Sequence, residues 1–117
     1  MADPFHHAVS SARKFGGTPE DYLKVHQWFD ATKAAWADPR HRAFRHSTFG
    51  IQTAIEVFGQ TITRESDGRV IPTRWIGEQH VNEDCGFIPT LEDWLDDLPI
   101  KPWMVRGARK LSVELQL

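Results

Sequence analysis

Residues 18–59, TPEDYLKVHQWFDATKAAWADPRHRAFRHSTFGIQTAIEVFG, decide the fold, because one run holds two helix-start signals and a helix-stop signal. Thr18 suits an N-cap, Pro19 suits the first helical position, and Asp21 stands three residues after the cap as an Asp form of the capping box. Asp38 and Pro39 repeat that start, and Gly59 supplies a stop. The run therefore predicts one helix over 18–37, a tight corner, and a helix over 38–59 packed antiparallel to the first.

Outward from this pair, HHAVSSARKFGG (6–17) predicts a short helix ended by Gly16 and Gly17. TITRESDGRVIPTRW (61–75) carries β-branched residues on both sides of Asp67-Gly68, a hairpin signal. RWIGEQHVNED (74–84) reads as a helix ending near Gly86, and PTLEDWLDDL (89–98) as a last helix capped by Thr90 with Asp93 three residues later. The expected fold class is mainly α, a compact bundle of about four to five helices with a small β-hairpin insert at about 61–75. Residues 1–98 make one domain, and 99–117 read as a C-terminal arm or tail.

The chain has 117 residues, and its 14 Lys and Arg against 16 Asp and Glu leave a formal charge of −2. That balance argues against a nucleic-acid coat, so any anion site must be local. A single cysteine, Cys85, offers no internal disulfide, the first residues lack the plan of a secretory signal, and no apolar run is long enough for a membrane span. The expected setting is cytoplasmic, with a small anionic substrate as partner, no membrane, and homo-oligomerisation left open.

The histidines give the chemistry. At about 100° per residue, Tyr22, His26, Phe29, Lys33 and Trp36 share one stripe, with Asp30 one turn from His26. On the 38–59 helix the apolar arc comprises Ala43, Phe44, Gly50, Ile51, Ala54, Ile55, Val57 and Phe58, with His46 at its edge and His41 on another side. His80 and Asp84 repeat the one-turn spacing of His26 and Asp30, which fixes a ring tautomer whether the imidazole is base, nucleophile or metal ligand. One histidine beside an apolar face is ordinarily a half-buried residue with a hydrogen-bond partner. Several on different helices, His7, His26, His46 and His80, predict a shared site.

Arg40, His41 and Arg42 crowd a helix start, where free N–H groups and the dipole favour an anion. Lys33 and Arg40 are spaced K-x6-R, and Arg74, His80 and Asp84 are spaced R-x5-H-x3-D. That ordering resembles the first and third motifs of the type 2 phosphatidic acid phosphatase and vanadium haloperoxidase superfamily. The resemblance implies that Lys33, Arg40 and Arg74 hold phosphate, His80 attacks it, Asp84 orients His80, and His46 is the general acid. The middle P-S-G-H motif is absent, the chain reading FRHSTFG around His46. The strings KFGG, EDY, RHR, FG, EQH and IPT also resemble an uncharacterised family of small His-rich bacterial and phage proteins, which implies one compact domain and no particular activity.

The expected function is hydrolysis or phosphoryl transfer on an anionic, phosphorylated substrate through a histidine-centred site between helices. The catalytic candidates are His80, Asp84 and His46; Lys33, Arg40, Arg42 and Arg74 are the substrate-binding candidates. His7, His26, His46 and His80 are the candidates for a divalent metal, Zn²⁺, Mn²⁺ or Fe²⁺, which would activate water; otherwise His80 acts without a cofactor. The rival is a non-enzymatic module in which the basic turn and exposed tryptophans, of five in the chain, recognise a protein or nucleic-acid partner.

Overall fold

The computed structural model describes residues 3–106. It is mainly α-helical with a two-stranded hairpin: α1 (Pro4–Phe15), α2 (Leu23–Asp30), α3 (Thr48–Phe58), β1 (Thr61–Thr63), β2 (Val70–Pro72), α4 (Thr73–Cys85) and α5 (Leu91–Leu95). Short 3-10 turns at Pro19–Asp21, Ala31–Ala34, Pro39–Phe44 and Pro102–Val105 link or follow them. Residues 107–117 of the expected C-terminal arm lie outside the described residues.

Both start signals act, but each opens a 3-10 turn instead of a long helix. Asp21 accepts the Thr18 backbone N–H at 2.8 Å, and Asp38 accepts that of Arg40 at 2.8 Å. The predicted 18–37 helix is α only over Leu23–Asp30, and the predicted 38–59 helix is two elements. The second break falls at Arg45–Ser47, where Ser47 takes over as N-cap and accepts the Gly50 N–H at 3.0 Å. Gly50 is required there: a Cβ would stand 1.8 Å from the Arg45 carbonyl oxygen, so the entering chain lies directly on the first turn of α3. The break changes the helical phase. His46 turns inward and is fully buried, whereas Phe44, expected in the apolar arc, is 56% exposed.

The apolar core is Ala8 from α1, Val25 and Phe29 from α2, Ile51 and Ala54 from α3, and Ile76 and Val81 from α4, with Tyr22 and Ile71 closing it. Each large side chain buried there contributes about 1.5–3 kcal/mol. Gly77 permits the close approach of α4, since a Cβ would lie 3.1 Å from Phe29 Cζ and 3.3 Å from Ile51 Cγ2. That contact places His80, almost one turn further along α4, beside α2.

The hairpin forms where Asp67-Gly68 predicts it, with Ile62 opposite Ile71 in an antiparallel register. Gly68 has φ 77°, and Asp67 accepts the Arg69 N–H at 3.0 Å. Asp21 in turn accepts from Ser66 Oγ at 2.5 Å, tying the turn to the start of α2. Thr90 and Asp93 form the expected capping box on α5. Among the described residues, no helix is long and apolar enough to cross a membrane.

Candidate metal centre

Four chain segments converge on a polar interior next to the apolar core. From α1 come His7 and Ser11, from α2 His26 and Asp30, from the bend before α3 His46, and from α4 Gln79, His80 and Asp84. On α4, residues 76, 77, 80, 81 and 84 share one arc of about 140°, so His80 and Asp84 are turned inward together with the apolar side chains that flank them. On α1, His7 and Ser11 are likewise one turn apart and both buried.

Asp84 is the hub. One carboxylate oxygen lies 3.1 Å from His7 Nε2; the other lies 2.9 Å from His46 Nε2 and 3.2 Å from His80 Nε2. Asp30 reaches the same ring, its Oδ1 being 3.2 Å from His80 Nε2 and 3.7 Å from His46 Nε2. One ligand atom each from His7, Asp30, His80 and Asp84 lie within 4.8 Å of one another. A metal bound about 2.0–2.2 Å from such N and O ligands separates them by about 3–4.4 Å, so the ligand atoms are spaced slightly wider than a coordination shell and would close by a few tenths of an ångström around an ion.

Charge balance makes the same demand. Burial works against both carboxylates, yet the His46, His7 and His80 rings beside it hold Asp84 far below the usual carboxylate range, and His80 lowers Asp30. Two buried negative charges therefore sit a few ångströms apart. The nearest guanidinium, Arg42, stays 3.6 Å from Asp84 Oδ1. Burial opposes charge on His7, but Asp84 and Glu83 overcome it and raise its pKa. Burial instead pushes His26 down to about 2, helped by His80 and His7, and also lowers His46. Arg42 supplies one positive charge, and the rest would come from protons on a minority of the rings or from one divalent cation. Asp30 Oδ2 is buried without a hydrogen-bond partner, an acceptor that a cation would satisfy. This His/Asp group can hold a metal ion.

The sequence candidates divide into two groups. His7, His80 and Asp84 lie in the cluster, and His46 touches its Asp84 edge. His26 stands behind His80, with Nδ1 2.9 Å from His80 Nδ1, and its own one-turn partner Asp30 bonds across to His80 instead. Arg42 lies against the site, donating to the Asp84 carbonyl at 3.2 Å. Arg40 is held by Asp38 at 2.7 Å and lies over the exposed Trp36 ring, and Arg74 is exposed beside Gln52. Lys33 lies near enough to His41 to disfavour its protonation. Residues missed in the sequence are Asp30 as a member of the cluster, together with Ser11, Gln79, Glu83 and the buried His41. The signal for three of them was present as polar i,i+4 doublets: His7 with Ser11, and Gln79 with Glu83.

No curated protein and no solved structure matches the chain, and no match supports the phosphatase and haloperoxidase likeness or a bacterial or phage origin. One family model does match, over residues 2–104. With most of its length covered, the chain belongs to the family described as a domain of unknown function, DUF6915.

Proposed function

We propose that the protein is a metal-dependent hydrolase acting on an anionic, phosphorylated substrate, with Zn²⁺, Mn²⁺ or Fe²⁺ held by His7, His80, Asp30 and Asp84. The observation that carries the reading is the convergence of two buried carboxylates and two imidazoles within 4.8 Å. Mixed imidazole and carboxylate donors suit these ions, and a site without thiolate differs from the cysteine-rich sets common at structural zinc. A bound ion would supply Lewis acidity and lower the pKa of a water it coordinates.

The chain's own groups divide the remaining work. Arg42 is the substrate-facing cation: its side chain is 17% exposed where that of Asp84 is 3% exposed, so an incoming anion meets the guanidinium first. His46, hydrogen-bonded to the Asp84 carboxylate through Nε2, positions that carboxylate at the edge of the centre. Direct attack by His80 is the weaker alternative, because Nδ1 faces His26 and Nε2 faces two carboxylates, leaving neither nitrogen free.

Enclosure of the centre favours one second reading, a metal that only clamps the helices together. A single series separates them: the metal-stripped protein is reloaded with each ion and assayed on generic phosphomonoesters and phosphodiesters. Hydrolysis that follows metal loading, is lost in Asp84→Ala and shows a raised KM in Arg42→Ala supports the enzyme. Stoichiometric metal that raises Tm without turnover on any substrate assigns the clamp.

A further inference from the structure

The hydrogen bonds behind the cluster carry more information than the cluster itself, because several of their members can play only one role. Gln79 Nε2 lies 3.0 Å from the His7 carbonyl and 3.1 Å from Glu83 Oε2. Both partners only accept, so that end of the amide is the NH₂ and Oε1 faces the other way. Oε1 lies 2.5 Å from Ser11 Oγ, and a second acceptor, the His7 carbonyl, lies 3.1 Å from the same hydroxyl.

Ser11 has one proton and stands against two acceptor-only oxygens. Giving that proton to His26 would leave the hydroxyl lone pairs against both oxygens, so Ser11 donates to an oxygen. His26 Nε2, 2.7 Å from Ser11 Oγ, must then be the donor of that bond. His26 is fully buried and neither ring nitrogen contacts a carboxylate, so it is neutral and its Nδ1 is a lone pair. That lone pair lies 2.9 Å from His80 Nδ1, which must carry the proton of the bond. His80 is thereby left with Nε2 as the nitrogen that faces Asp30 and Asp84, each 3.2 Å away.

We infer that Gln79, Ser11 and His26 form a relay of positioning residues that fixes His80 as the Nδ1–H tautomer and turns its Nε2 lone pair into the centre. His7 is placed differently, with Glu83 2.7 Å from its Nδ1 and Asp84 3.1 Å from its Nε2. In a protein with no cation to bind, the opposite tautomer of His80 would be the better one, since its Nε2–H would donate to Asp30 or Asp84. The relay thus holds His80 in the form that suits a metal and disfavours the empty site. Its purpose rests on the metal-binding reading above; its existence does not.

The test reads tautomers directly. Protein labelled with ¹⁵N at histidine is examined by long-range ¹H–¹⁵N correlation near pH 8, metal-free and with one equivalent of Zn²⁺. The expected result in the metal-free wild type is protonated Nδ1 on His80 and protonated Nε2 on His26, with Zn²⁺ shifting His80 Nε2 and leaving its Nδ1–H in place. Ser11→Ala removes the anchor of the His26 proton, so His80 should move toward Nε2–H and Zn²⁺ binding should weaken by about ten- to a hundredfold. Protonated Nε2 on wild-type His80, or a folded Ser11→Ala protein with unchanged His80 tautomer and Zn²⁺ affinity, overturns the relay even if metal binds. A wild type that binds no Zn²⁺ but shows the expected tautomers overturns the metal reading and leaves the relay standing. Should Ser11→Ala not fold, the wild-type spectrum alone decides.

Discussion

Helices α2 and α4 carry the same doublet, His26 with Asp30 and His80 with Asp84, yet the two doublets do different things. On α4 the pair closes on itself, His80 Nε2 lying 3.2 Å from Asp84. On α2 it splits: His26 bonds Ser11 and His80, while Asp30 bonds His80 from the opposite helix. Spacing of i,i+4 guarantees only a shared face. Which partner each member takes depends on what the neighbouring helix offers, and α4 offers α2 an imidazole lying between two carboxylates.

The comparison breaks most severely at Asp84, whose carboxylate lies within 3.2 Å of three rings. Asp84→Ala strands His7, His46 and His80 without a counter-charge, and should cost about 3–5 kcal/mol of stability and abolish metal retention, as read by urea unfolding and metal analysis. Asp30→Asn keeps the shape of the α2 carboxylate and removes its charge. It should leave the fold intact, cost about 1–3 kcal/mol, and weaken metal binding measured by competition with a chelating dye. If Asp30→Asn instead matches wild type in affinity, the α2 carboxylate is outside the coordination shell and the two doublets differ more than proposed.

Acid should separate the doublets without mutation. Burial lowers the pKa of His26 to about 2 and also lowers His41 and His46, all from the ordinary 6.5. Below about pH 6.5 the unfolded chain therefore takes up protons that these rings refuse in the fold, so their contribution falls as pH falls. His7 opposes them: its pKa is raised, so its contribution is fully present below 6.5 and is lost as pH rises through the folded value. With three rings against one, Tm of the metal-free protein should drop between pH 7 and pH 5, checked by scanning calorimetry. A Tm that climbs over that interval would mean the buried rings are charged.

The smallest effect is expected at the cations that the spacing marked but the fold leaves outside. Arg74→Ala, at an exposed position beside Gln52, should change stability by no more than about 0.5 kcal/mol and leave metal affinity unchanged. Loss of metal in that variant would bring the R-x5-H-x3-D motif back as a unit.

Local signals in the sequence were legible where a few consecutive residues decide the backbone. Thr90 with Asp93, Asp67-Gly68 and Asp38-Pro39 all act where they stand. The length of the helices was not legible, because the break at Arg45–Ser47 depends on Ser47 capping a new helix and on Gly50 accepting a carbonyl 1.8 Å from where a Cβ would be. That break accounts for the exposure of Phe44 and for His46 reaching Asp84 from outside a regular helix. In the site, helical phase brings His7, His80 and Asp84 toward one interior, but it assigns Asp30 to the wrong imidazole. Arg40 illustrates the limit of reading a charge as a binding group, since its carboxylate partner is only two residues away.

The central claim, that the buried His/Asp group is a metal site, is tested most directly by equilibrium dialysis followed by elemental analysis. Wild-type protein, stripped and dialysed against micromolar Zn²⁺, Mn²⁺ or anaerobic Fe²⁺, should retain one ion per chain of at least one of them, and a folded Asp30→Asn, Asp84→Asn double variant should retain none. Wild type that retains no ion, or a double variant that retains as much as wild type, would contradict the account.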